Sequence, residues 1–293
     1  MKPAVWVLLF SFLPHVTDVN APRELHHLPG DGRLTTIRVI TWNIDHGSNL
    51  DQINAELRKR EPDLCLLQEV DQNAARSGLK DVAFELANRL GMNASFGIEF
   101  EELSQEKDGA AYIGQATLTR LPLNQSRVLR FQRQSNFWQP HAWLPSNLPM
   151  MQRRLGSRMA LVTELQFAGK LLVVYNPHLE SRSMGLIQSA QLDEILADLQ
   201  HHYPPNTNAM IAGDINSKYF PSIFLRKFEQ AGFHSALGSR IARTHKIAMA
   251  LDWIFVRGPV TLDDGNVDRS ALGSDHYPIS VRLTAVSEPE THR

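Results

Sequence analysis

Short apolar runs alternate with amphipathic stretches along most of the chain. Ile37 to Trp42 (IRVITW) reads as a strand rich in β-branched residues. Leu50, Ile53 and Leu57 follow at helical spacing, and Pro62 closes that segment. Asp63 to Glu69 (DLCLLQE) is a continuous apolar run with a polar end, the pattern of a buried central strand. Ala83, Leu86, Ala87 and Leu90 form a helix face, with Gly91 as its C-cap. Further strands are expected at AYIGQATLT, RMALVTELQF, KLLVVYN, NAMIAGD, LDWIFV and YPISVRL. Leu192, Ile195, Leu196 and Leu199 mark another helix, as does PSIFLRKFEQAG. RMALVTELQF and KLLVVYN are split only by Ala168-Gly169, which reads as a hairpin. The pattern therefore predicts mixed sheets with helices outside, in one domain spanning 22–293.

One stretch breaks the pattern. Phe137 to Gly156 carries two Trp, two Met and three Pro. It is too proline-rich for a helix or a central strand and reads as a long insertion loop. Its Trp138, Trp143, Met150 and Met151 suit either a lid over a substrate or packing over a sheet edge. Arg76, Arg153, Arg154, Arg158 and Arg182 are candidates for holding a phosphate or for plain solvation.

Composition changes the picture at the N-terminus. Lys2, the apolar run Ala4 to Leu13 and Val19-Asn20-Ala21 read as a secretory signal cut after Ala21, residues 1–21. That run is too short to span a bilayer. The expected location is therefore secreted or periplasmic, with no stable membrane insertion. The single cysteine, Cys65, can make no internal disulfide and reads as a small core residue. The 293 residues carry a formal net charge of −1. A chain this neutral has no global electrostatic reason to sit on nucleic acid or an anionic membrane. Phosphate affinity must be local or carried by a metal ion.

The polar residues of interest fall at the ends of the expected strands. Asn43 and Asp45 follow IRVITW, and Glu69 follows DLCLLQ. Asn176 and His178 follow KLLVVY, and Asp214 and Asn216 follow NAMIA. Asp252 opens LDWIFV, and Asp275 and His276 precede the last strand. Open α/β folds build sites in this way, aiming side chains from strand ends at one rim. The set holds carboxylates, amides and imidazoles, with no positioned Ser or Cys nucleophile. Such oxygens suit a hard cation, Mg2+ or Mn2+, and do not suit a closed zinc site. Hard-metal carboxylate sites commonly handle phosphates.

Six motifs, TWNIDHG, LQEVD, NPHLES, GDINS, LDWIF and SDHYP, stand in one order across residues 36–284. Together they resemble the endonuclease/exonuclease/phosphatase superfamily, nearest its bacterial metal-dependent hydrolase branch. The resemblance implies an α/β fold, a four-layer α/β/β/α sandwich with two mixed β-sheets. It implies that Glu69 is the main metal ligand, with Asn43, Asp45 and Asp275 near the ion. Asp214 would orient or deprotonate water, and Asn216 would share that water or a phosphate oxygen. Asp252 and His276 would form an acid–imidazole pair, and His178 would donate to the phosphate or the leaving oxygen. The implied activity is a monomeric, secreted Mg2+-dependent phosphodiesterase with nucleic acid as the default substrate class. Three alternatives stay open: a phospholipid head group as substrate, a catalytically silent domain that binds phosphorylated ligands, or a structural or adhesion domain that uses the aromatic loop as a contact patch.

Overall fold

A computed structural model describes residues 18–27, 30–139 and 154–286. The expected signal lies outside these residues except for its last four, and Trp143, Met150, Met151 and Arg153 also fall outside. The described chain runs β1 (Arg23–Leu25), β2 (Thr36–His46), α1 (Leu50–Arg60), β3 (Leu64–Gln72), α2 (Val82–Leu90), β4 (Asn93–Glu102) and β5 (Tyr112–Thr119). It continues with β6 (Leu123–Arg130), β7 (Arg154–Gly156), β8 (Met159–Phe167), β9 (Lys170–Pro177), α3 (Leu186–His202) and β10 (Asn208–Asp214). It closes with α4 (Pro221–Gln230), β11 (His234–Ser235), β12 (Asp252–Arg257), β13 (Val260–Val267) and β14 (Ile279–Ala285).

These strands build two mixed sheets. One has the order β1-β4-β5-β3-β2-β14-β13, with β7 added beside β4. The other has the order β11-β12-β10-β9-β8-β6. Strand alternation gives each sheet two apolar faces. Val39, Leu66, Val174, Met210, Ile254 and Val281 meet between the sheets. Ile40, Trp42 and Leu67 face outward onto Ile53 and Leu57 of α1 and Leu86 of α2. Tyr175, Ile211 and Phe255 face outward onto Leu192 and Ile195 of α3 and Phe228 of α4. The layers are helix, sheet, sheet, helix, as the sequence resemblance implied. Each large apolar side chain fully buried here contributes roughly 1.5–3 kcal/mol. Cys65 is fully buried in the outer layer of the first sheet.

The expected hairpin is β8 and β9, which pair antiparallel with Phe167 opposite Lys170. Ala168 and Gly169 have φ of 53° and 72°, the left-handed pair a type I′ turn requires. The apolar pattern did not announce β4, β6 or β13. Both β6 and β13 are edge strands with largely polar sequences. β4 carries Glu99, Glu101 and Glu102, which apolar periodicity cannot read as sheet interior.

Candidate active site

The alternation that buries the inter-sheet core also aims the site. In β2, Val39, Thr41 and Asn43 share one face; in β10, Met210, Ala212 and Asp214 do. In β12, Asp252 shares a face with Ile254 and Val256. Asn43, Asp214 and Asp252 therefore emerge at the rim of the layer whose middle is apolar. Glu69 gets there differently. Between Leu67 and Val70, β3 gains a residue relative to β5, and Glu69 takes a left-handed φ of 51°. This bulge turns its carboxylate to the face that strict alternation would deny it. Glu99 sits on a similar irregularity in β4, between Ile98 and Phe100. Asp45, His46 and Asn216 are also left-handed, so backbone strain gathers at the site.

Hydrogen bonds tie the strand ends together. The Asn43 Nδ2 amide donates to Glu69 Oε1 at 3.1 Å and to Asp214 Oδ2 at 3.2 Å. Its Oδ1 accepts the Asp45 N–H at 3.1 Å, so the Asn43 side chain orders both carboxylates across the two sheets. The Asn216 N–H donates to Asp214 Oδ1 at 2.9 Å, which leaves Asp214 fixed at both oxygens. The Asn216 Nδ2 donates to the Leu179 carbonyl at 3.0 Å. His276 Nδ1 lies 2.8 Å from Asp252 Oδ2, and its Nε2 lies 3.9 Å from Asp214 Oδ2. His178 Nε2 is 3.7 Å from Asp214 Oδ2 and 3.8 Å from Glu69 Oε1. Asp275 stands beside His245 at 3.2 Å. Nine of the ten strand-end residues singled out from the sequence thus lie in one connected group. Asn176 differs: it is buried beneath them, taking the Gln68 amide and donating to the Leu67 and Ala116 carbonyls. It ties the sheets together.

Charge is unevenly distributed over this group. Burial raises the Asp45 carboxyl, and the neighbouring carboxylates Asp275 and Glu69 raise it further. Burial also opposes the charge on Glu69, but His46, His178 and the Asn43 amide hold its carboxyl well below the usual range. His276 is pushed up to about 10: burial opposes its charge, and Asp252, Asp214 and Asp275 outweigh that. His276 is therefore held as an imidazolium next to Asp214. Asp45, Glu69 and Asp275 are hard oxygen donors close enough for their charges to act on one another. Asp45 and Glu69, with His46, have ligand atoms within 4.8 Å of one another. Three mutually repelling carboxylates at one rim fit a divalent cation, whose charge would relieve that repulsion.

The group opens into a cleft of about 420 Å³. Two of its walls, His46 and His245, and a residue buried behind His178, Glu99, were not read from the sequence. His46 lies 3.6 Å from Glu69 Oε2, and burial lowers it to about 4, which keeps it neutral near pH 7. Glu99 is buried and approaches His178 Nδ1 at 3.3 Å, with Arg158 paired to its other oxygen at 2.7 Å. His245 packs edge-on against His276, with ring centroids 4.6 Å apart. Its Nδ1 accepts the Ile247 N–H at 2.9 Å, so a neutral His245 presents Nε2–H to Asp275 as a donor. His46 was legible within the motif WNIDHG; Glu99 and His245 stand in segments without a strand-end signal.

Of the arginines considered as phosphate holders or solvated charges, three are committed to ion pairs. Arg76 forks onto Asp71 at 2.7 and 2.8 Å and reaches Glu102. Arg154 pairs with Glu102 at 2.7 Å, and Arg158 with Glu99. These charges are mostly buried, with Arg154 and Arg158 in the cleft lining itself, and one partner without the other would be costly there. Solvation does not describe them. Arg182 is exposed on the cleft wall and lies over the Phe137 and Trp138 rings at 4.4 and 5.4 Å.

Fold and cleft together define a sandwich of two sheets with an acid, amide and imidazole centre at one rim. The chain belongs to the Endonuclease/Exonuclease/phosphatase family, whose pattern matches residues 40–276. Members of that family are divalent-metal-dependent hydrolases that act on phosphodiesters. The human Nocturnin catalytic domain with bound sulfate anion is similar at a TM-score of 0.64 and 18% identity, covering 90% of this chain and 97% of that one. An endonuclease/exonuclease/phosphatase from Beutenbergia cavernae gives 0.63 and 18%, covering 88% and 74%. Humanized D. rerio TDP2 gives 0.57 and 20%, covering 86% and 100%. At these identities the likeness is one of fold. No curated protein matches the sequence.

Proposed function

We propose that this protein is a divalent-metal-dependent phosphodiesterase that hydrolyses its substrate by in-line attack of water. One observation carries the reading: a doubly fixed carboxylate, Asp214, stands 3.9 Å from Nε2 of His276, whose Nδ1 is held by Asp252. A group that takes a proton and a group that neutralises a phosphoryl oxygen therefore share one wall. Glu69, Asp45 and Asp275 would hold Mg2+ or Mn2+, with Asn43 ordering Glu69. Such an ion, when bound, offsets charge on the phosphoryl oxygens.

The chain's own residues do the rest. Asp214 orients a water and takes its proton as the water oxygen bonds to phosphorus. The bond from phosphorus to the leaving oxygen breaks, and the electron pair goes to that oxygen. His178 Nε2 faces the same space and donates to the leaving oxygen. His276, held by Asp252, donates Nε2–H to a non-bridging oxygen as its charge grows. The proton on Asp214 then passes to solvent through the open cleft. We place the protein outside the cytoplasm, acting as a monomer on a phosphodiester that nucleic acid or a phospholipid head group can offer.

The test is turnover of bis-p-nitrophenyl phosphate with Mg2+ or Mn2+, and with EDTA. EDTA should abolish it. Glu69→Gln, Asp214→Asn and His276→Gln should each lower kcat by at least about 100-fold with the thermal melt retained. Turnover like that of the wild type in any of the three, once folded, would sink the assignment.

A further inference from the structure

Two adjacent loop-to-helix junctions at the cleft mouth expose apolar side chains that the chemistry above does not use. In the first, Met184 and Leu186 are 71% and 83% exposed. In the second, Tyr219, Phe220 and Ile223 are 48%, 65% and 49% exposed. Lys218 Nζ donates to the Ser181 carbonyl at 3.0 Å, and Gly185 packs toward Phe224, so the junctions form one surface. Ser181, Arg182 and Lys218, their neighbours in sequence, line the cleft itself. Single exposed apolar residues are ordinary, but five together beside a reaction centre are not.

The backbone holds this surface outward. Phe220 has a left-handed φ of 53°, an outlying conformation for a bulky aromatic residue. It caps α4 in that state and presents its ring to solvent. Strain of this kind persists where surrounding structure enforces it.

Charge selects the partner. The segments SRSMGL (181–186) and SKYFPSIFLRK (217–227) contain no acid and carry Arg182, Lys218, Arg226 and Lys227. Lys227 is paired with Asp193. A surface that is apolar at its centre and cationic at its border matches the interface of an anionic bilayer. Nucleic acid fits less well, because the three aliphatic side chains Met184, Leu186 and Ile223 offer no stacking face. Among the described residues no helix is long and apolar enough to cross a membrane. Contact would therefore be peripheral.

We propose that this rim docks on an anionic phospholipid surface and brings a lipid head-group phosphodiester to the cleft. The substrate class rests on the phosphodiesterase reading above; the docking surface stands without it. The full chain is co-sedimented with vesicles of phosphatidylcholine alone and of phosphatidylcholine with phosphatidylglycerol. Turnover of bis-p-nitrophenyl phosphate and release of head group from the vesicles are followed in parallel. Wild type should bind the mixed vesicles, and Leu186→Ser with Phe220→Ser should weaken that binding at least tenfold. Head-group release should fall with binding, while soluble turnover stays unchanged. Met184→Ser with Ile223→Ser, at positions outside the left-handed cap, should act in the same direction.

Soluble turnover without vesicle binding overturns the docking surface and leaves the enzyme reading intact. Vesicle binding without any turnover does the reverse. If both double variants bind vesicles as wild type does, or lose a single-stranded oligonucleotide instead, the lipid surface is refuted.

Discussion

Asp252 and His276 show how little a residue type says until its neighbours are known. An unperturbed histidine gives up its proton at about pH 6.5, and a neighbouring carboxylate holds it on. Here burial disfavours the charge, yet three carboxylates raise His276 to about 10. Raising a folded-state pKa above the ordinary value of about 6.5 stabilises the fold below that value and loses the stabilisation as pH climbs toward about 10. With metal removed, the stability advantage of wild type over His276→Gln should be largest near pH 6 and shrink as pH approaches 10. Urea unfolding across that range checks it; an advantage that grows with pH would mean a neutral His276. A further acid–imidazole contact, Glu99 with His178, was hidden from a sequence reading because Glu99 lies in a strand that looks too charged to be buried. His178 itself was legible because NPHLES follows an apolar strand directly.

Elements fix distances that residue types alone leave open. β10 runs parallel to β9 and antiparallel to β12, with Asp214 opposite Asp252. That register sets two carboxylates side by side, and on its other side β10 closely approaches the end of β9. Gly213 makes the approach possible: a Cβ there would stand 2.2 Å from the Pro177 carbonyl oxygen. Gly213→Ala should therefore push the strand ends apart, costing about 1–3 kcal/mol of stability. A shift of about 1 Å at Asp214 should cost roughly 100-fold in kcat. Urea unfolding and turnover measured together test this, and a variant unchanged in both would show that β9 yields freely. The bulge at Glu69 works at the same scale. Periodicity announced β3 as a strand, but it cannot announce an inserted residue that reverses which face a side chain meets.

Across the whole molecule, two sheets from distant parts of the sequence share one core, and the site exists only where their rims meet. Asn43 reaches Asp214 across 171 positions of chain, and the Ser274 hydroxyl donates to the Asn43 carbonyl across 231. The folded chain therefore offers a cation a preformed set of carboxylates that the unfolded chain lacks. Mg2+ or Mn2+ at about 100 times its Kd should stabilise the fold by about 2.7 kcal/mol, roughly 5 °C or more in Tm. Glu69→Gln should remove most of that shift, and a melt insensitive to both ions would argue against the carboxylate cluster as their site. The sequence by itself determined the strands with strong apolar alternation, the hairpin at Ala168-Gly169, and six motifs that place acids, amides and imidazoles at strand ends. These are local signals, written in spacing and turn chemistry. Only the tertiary structure decided that Asn43 orders two carboxylates, that Glu99 and His245 back the site, and that Arg76, Arg154 and Arg158 are buried in ion pairs. It also decided that Met184, Leu186, Tyr219, Phe220 and Ile223 stand together in solvent at the cleft mouth. Those facts depend on which distant segments pack against one another, and on bulges and left-handed residues that no periodicity encodes.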